Sequence, residues 1–371
     1  MKKIVLIIFF SFVSVSFFAQ KVDRPDTVYT DKRIFLDAQT AYDELRFSEA
    51  LTFCEKAKVA RKQLILWEKT TLENSFKPAE VKKAGDSITD SIPVITERQD
   101  YDALEIIRKY KKIKGLDFFH DSKKELVNYI SKISPYPEAE SLIGQIYCLE
   151  GEYEIAEKYF RNAYQNADIL DVNDEKYDIL YYLANISYLQ KNNDKYEQNL
   201  LLILAQDNAF KDDTLISAME KTLSGTKPET MEKFFTLYRA DNYRLLKAYS
   251  DLTGYYFERN KKEKALKTSA LGSLTAFTKI LDVIKKRNPD FNYTDLGSLF
   301  IEVTNYPDIL QWGIDNDVWK LFDDFAEISY QNNNLIFAIQ LFNVLKEYSP
   351  EQYWRNKADY RLKEITLKNL F

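Results

Sequence analysis

From residue 32 onward, apolar side chains recur every three or four positions, the period of a helix with one buried face. Ile34, Ala38, Ala41 and Leu45 mark one such face; after a break at Arg46, Phe47, Ala50, Leu51, Cys54 and Ala57 mark a second. Two amphipathic helices so tightly joined predict a hairpin. The pattern returns as Ile143, Gly144 and Tyr147, a turn at Glu150-Gly151-Glu152, then Tyr153, Ala156, Phe160 and Ala163. Near the C-terminus it reads Phe322, Phe325, Ala326, a turn at Asn332-Asn333-Asn334, then Ala338, Phe342 and Leu345. Looser copies run through Tyr249, Leu252, Tyr256, Asn260 and Ala265, and through Leu183, Ala184, Asn192, Tyr196 and Leu200.

In the three clearest copies a small residue of the first helix precedes an alanine by twelve positions: Ala38 and Ala50, Gly144 and Ala156, Ala326 and Ala338. Small side chains at both places let two helix backbones cross closely. Gly151 then supplies the left-handed backbone that a tight helix exit requires, while Tyr153 and Phe160 fill the space beside the crossing. These units resemble tetratricopeptide repeats, helix–turn–helix units with a period of about 34 residues. The resemblance implies an all-α fold, an α-solenoid of antiparallel helix hairpins wound as a right-handed superhelix. Gly225 and Pro228, then Pro289, Pro307 and Gly313, predict irregular joints that interrupt it. The expected organisation is a signal peptide over 1–19, a flexible lead over 20–31, an N-terminal array over 32–207, connector helices over 208–240 and a C-terminal array over 241–371.

The first twenty residues, MKKIVLIIFFSFVSVSFFAQ, change the cellular picture. Lys2 and Lys3 precede an apolar run from Ile4 to Phe18 and the small Ala19, the plan of a bacterial secretory signal cleaved near Ala19. The run is shorter than the roughly 20 residues of a spanning helix, and no later stretch is apolar enough to replace it. The expected location is therefore the periplasm or cell envelope, with no membrane span in the mature chain. Nine Gly and nine Pro in 371 residues leave few of the turns an all-β chain needs. Fifty-two Lys and Arg against 57 Asp and Glu give a net charge of −5, interspersed in sign, which disfavours nucleic acid as a partner.

Candidate chemistry is sparse. His120 is the only histidine and has no positioned partner in sequence; one His with two Cys cannot supply the usual zinc ligands. Cys54 and Cys148 fall within helical patterns, as buried free thiols do. The acidic stretch 171–178 lacks the glycine and terminal glutamate of a calcium loop, and pairs such as Asp323-Asp324 are explained by solvated helix faces. No catalytic residue, cofactor or metal is expected. The family resemblance implies a binding groove lined by first helices, which carries over to Phe35, Gln39 and Tyr42, then Gln145, then Lys247 and Phe257, then Lys320, Asp323, Glu327 and Tyr330. The reading is a non-enzymatic scaffold that binds a protein partner, with self-association as a further possibility. The other class compatible with 24 Phe and 26 Tyr is an all-α glycan- or peptide-binding protein or hydrolase with an aromatic-lined groove.

Overall fold

A computed structural model describes residues 24–25, 30–75, 97–114, 123–227 and 229–368, and every element among them is helical. The expected signal peptide, most of the expected lead, and His120 lie outside the described residues. The chain divides into two compact units, Met1–Ile146 and Tyr147–Phe371.

In the first unit, α1 (Asp31–Asp43) and α2 (Phe47–Ser75) form the expected hairpin, and α3 (Glu97–Lys114) and α4 (Lys123–Lys132) pack on the far half of α2. Thr30 caps α1 by accepting from the Arg33 amide. Ala38, Ala41 and Ala50 are fully buried where α1 and α2 meet. A second core joins Ile65 and Leu72 of α2 to Ala103, Ile106 and Tyr110 of α3 and to Leu126 and Ile130 of α4. The division between the units falls within α5 (Pro137–Leu149).

The second unit opens with α6 (Tyr153–Gln165), which packs on α7 (Glu175–Leu189). Three hairpins follow in chain order: α7 with α8 (Asn193–Leu204), α12 (Leu246–Glu258) with α13 (Lys262–Arg287), and α16 (Val318–Gln331) with α17 (Leu335–Tyr348). Each leans on the next, α12 touching α8 and α16 touching both α12 and α13. Carboxylates add two links between helices at equivalent positions. Glu157 of α6 accepts from Lys195 of α8 at 2.8 Å, and Glu197 of α8 accepts from Lys264 of α13 at 3.1 Å. Glu157 follows Ala156 and Glu197 follows Tyr196, while Lys195 precedes Tyr196 and Lys264 precedes Ala265.

The helix exits are closed alike. Leu45, Gly151, Lys191, Asn260 and Asn333 all have positive φ. After each, the next amide reaches back five residues: Arg46 to Ala41 (2.8 Å), Glu152 to Tyr147 (2.9 Å), Asn192 to Ser187 (2.8 Å), Lys261 to Tyr256 (2.9 Å) and Asn334 to Ser329 (2.9 Å). This is the six-to-one bond of a Schellman cap, which satisfies carbonyls the helix end would otherwise strand.

The stretches expected as joints are helical and contribute to the core. Residues 208–240 carry α9 (Asn208–Lys211), α10 (Asp213–Leu223) and α11 (Thr230–Phe235). Phe234 of α11 packs against Phe325 and Phe337, with ring centroids 5.1 and 5.3 Å away; Phe235 packs against Phe277 at 5.1 Å. Residues 288–314 hold α14 (Leu296–Val303), opened by a capping box between Asp295 and Ser298, and most of α15 (Pro307–Asp315), opened by Pro307. The 26-residue α13 is buried along most of its length. Gly272 explains one close approach there, since a Cβ would lie 2.9 Å from the Tyr249 Cβ and 3.1 Å from Leu321. The last helix, α18 (Gln352–Lys368), lies on α17 and α16.

Candidate functional site

The first helices of the three hairpins of the second unit, α7, α12 and α16, border one basin of about 440 Å³. Helical spacing assembles it. Tyr181, Asn185 and Tyr188 face it from α7; Lys247, Ser250, Asp251, Gly254, Tyr255 and Glu258 from α12; Asp317 and Lys320 from the start of α16. Asn193 and Tyr196 close it from α8, and Arg259 from the end of α12.

The walls are aromatic. Tyr196 stands 5.6 Å from Tyr188 on one side and 5.6 Å from Tyr255 on the other, the rings inclined at 50° and 59°. The Arg259 guanidinium lies 3.8 Å from the Tyr255 ring centroid and donates to the Asn193 side chain at 3.1 Å. Tyr181 is locked at the other edge, donating to the Arg244 carbonyl at 2.5 Å and accepting from the Ala248 amide at 3.1 Å. Burial raises the Tyr196 phenol above the ordinary tyrosine range, and the Asp251 carboxylate adds to the effect.

The charges are mixed. Lys247 reaches Asp251 one turn later at 3.3 Å, and Lys320 reaches Asp324 at 2.7 Å. Burial pushes the Asp251 carboxyl upward; Lys247 and Lys320 oppose that, and Asp317 adds to it. Asp317 is itself left-handed at φ 50° and makes no side-chain cap to α16.

Of the groove residues expected from sequence, the basin gathers Lys247 and Lys320. Phe257 is half-buried against the core of the second unit. Asp323, Glu327 and Tyr330 meet α18 instead. The Lys357 ammonium donates to buried Asp323 at 2.5 Å. Arg361 grips both oxygens of Glu327 at 2.6 Å and lies 5.1 Å from the Tyr330 ring centroid. Both ion pairs join residues 34 positions apart, and α18 covers that stripe of α16. Phe35, Gln39, Tyr42 and Gln145 belong to the first unit. Phe35 packs 5.2 Å from Tyr136, Tyr42 packs 5.9 Å from Phe47, Gln39 is exposed and Gln145 half-buried.

Sequence reasoning missed Tyr188, Tyr196, Tyr255 and Gly254. The signal available was a mid-helix glycine in a chain poor in glycine, flanked by tyrosines either side of two hairpin turns. The first unit holds a larger cavity of about 1230 Å³ lined by Ile34, Leu64, Trp67 and Ile106. Its deepest charges are already matched within the unit. Asp31 accepts from Arg61 at 2.8 Å, and buried Glu68 accepts from Lys109 at 2.6 Å and Tyr110 at 2.5 Å. The smaller basin is the one that the first helices of the second unit's hairpins share.

Cys54 and Cys148 are free thiols, and burial pushes Cys54 up to about 12, far from a reactive thiolate at neutral pH. Among the described residues no group of three His, Cys, Asp or Glu could hold a metal ion, and no helix is long and apolar enough to cross a membrane.

A protein of Treponema pallidum (strain Nichols), itself uncharacterized, is 29% identical over 329 residues, spanning 88% of this chain and 87% of its own length. No family model matches the chain, and no solved structure matches it.

Proposed function

We propose that this chain is a non-enzymatic interaction protein of the bacterial cell envelope, a tetratricopeptide-like solenoid that holds a protein partner against the face made by α7, α12 and α16. The observation that carries this reading is the repeated hairpin closure: five exits share one left-handed residue and one six-to-one bond, and in the second unit three hairpins lean on one another in order. Stacking of that kind buries the outer face of each hairpin and leaves the first helices side by side as a recognition surface. The export signal read in the first nineteen residues supports the location.

The test is retention of envelope proteins by the immobilised chain and by a Lys247→Ala/Lys320→Ala variant, with thermal unfolding measured on both. Both lysines are at least 40% exposed and bond only within their own helices, so folding should be unaffected. A protein retained by the native chain and lost from the variant supports the reading. Equal retention by both removes this face as the contact, and turnover of an envelope component by the purified chain overturns the non-enzymatic assignment.

A further inference from the structure

We propose that the basin between α7, α12 and α16 is a saccharide site, taking a neutral ligand of one or two sugar rings. The inference goes beyond the protein-partner reading and does not depend on it. Its first support is Gly254. Gly272, on the neighbouring helix, is demanded by close packing, but a Cβ built on Gly254 meets nothing within 4 Å. Glycine in mid-helix is unfavourable relative to alanine, and no neighbouring side chain or backbone explains it here. What it preserves is open volume at the floor of the basin.

The second support is the chemistry of the lining. The basin's formal charges balance, with Lys247, Lys320 and Arg259 against Asp251, Asp317 and Glu258. A cation gains from three of these groups and is repelled by the other three, and an anion meets the same conflict reversed. A sugar hydroxyl donates and accepts at once, so it can use both sets. The apolar face of a pyranose carries polarised C–H bonds that suit the negative face of an aromatic ring. Tyr188 is 65% exposed and free to offer such a face. Asn185 and Ser250, both lining the basin, add further donors and acceptors. The volume of about 440 Å³ lies at the small end of the range for ligand pockets.

The test is ligand-observed saturation-transfer NMR with the full chain against the disaccharides chitobiose, cellobiose, maltose and lactose, with tetramethylammonium and inorganic phosphate as charged probes. At least one disaccharide should bind, with affinity reduced at least tenfold by Gly254→Leu and by Tyr188→Ala. Circular dichroism should show Gly254→Leu folded as the native chain, separating lost space from lost structure. No disaccharide bound at 20 mM, binding unchanged in both variants, or binding of tetramethylammonium or phosphate in preference to every sugar would each overturn the proposal.

Discussion

Replacing each of two glycines by alanine should change stability in opposite directions, although both lie inside helices of the same unit. Relative to glycine, alanine favours the helix by about 1 kcal/mol, and Gly254→Ala in α12 should realise most of that because its new methyl meets nothing within 4 Å. Gly272→Ala in α13 receives the same backbone benefit but drives its methyl to 2.9 Å from the Tyr249 Cβ and 3.1 Å from a Leu321 methyl. Neither neighbour can retreat. The Cβ of Tyr249 is rooted in α12, its hydroxyl donates to buried Asp207 at 2.6 Å, and Leu321 is fully buried. Overpacking costs typically 1–3 kcal/mol, and two immobile neighbours set the cost toward the upper end, leaving a net loss of about 1–2 kcal/mol. For a unit of this size about 1 kcal/mol corresponds to roughly 2–4 °C. Calorimetry of the full chain should therefore show the transition of the second unit rising by about 2–4 °C for Gly254→Ala and falling by about 2–8 °C for Gly272→Ala. Shifts of the same sign would refute the packing argument, and a fall for Gly254→Ala would remove the idea that this glycine preserves space.

Three further outcomes follow from named contacts. Lys264, Tyr256 and Lys261 together draw Glu197 down to about 2; a carboxyl with a depressed folded pKa stabilises above its unfolded value, near 4.3, and loses that contribution as pH falls toward 2. Glu197→Gln should thus cost about 1–2 kcal/mol at pH 7 after allowing for the exposed lysines, and denaturant titrations of native chain and variant should converge between pH 4.5 and 2, a constant difference across that range refuting the assignment. Lys357→Met leaves Asp323 buried without its cation, which should cost about 3 kcal/mol, the low end for a broken pair because Lys357 is half-exposed, and raise amide exchange along α18, with Asp323→Leu in the same background restoring most of the protection; unchanged exchange would show that the pair does not hold the helix. Leu45 is left-handed and exposed, so Leu45→Gly should stabilise the first unit by about 1 kcal/mol, read as a higher urea midpoint, a lower one counting against the strain.

The hairpins were legible in the sequence because their demands are local. Twelve residues from Ala326 to Ala338 or from Ala38 to Ala50 count out one close crossing and one tight turn, and Gly151 advertises a left-handed exit. Lys191 and Leu45 take the same conformation without the residue type that would announce it. The helical joints were less legible: Phe234 and Phe235 sit in a short segment beside Gly225 and Pro228, and only their partners Phe277, Phe325 and Phe337, distant in sequence, reveal a core contribution. The same limit governed the site. Lys247 and Lys320 were found through repeat register. Asp323 and Glu327 share that register, but α18 brings Lys357 and Arg361 to them, and the matching 34-residue offsets of acids and bases were the available clue. Tyr196 occupies the place where the other hairpins carry alanine, and repeat matching reads that as degeneracy although the side chain forms a wall of the basin.

The Schellman closures bear on how such a chain can change over evolutionary time. Each hairpin ends its first helix with bonds made entirely by its own backbone, so its geometry asks nothing of the segment that leads into it or away from it. The amides that make those bonds stand at 46, 152, 192, 261 and 334, intervals of 106, 40, 69 and 73 residues. The last two intervals accommodate α9 to α11 and then α14 and α15, including a helix that feeds phenylalanines into the common core. Insertions between hairpins can therefore be tried without disturbing the turns, and an inserted helix that finds apolar partners is retained as architecture. A change of length at those junctions leaves the bonds that close each turn untouched.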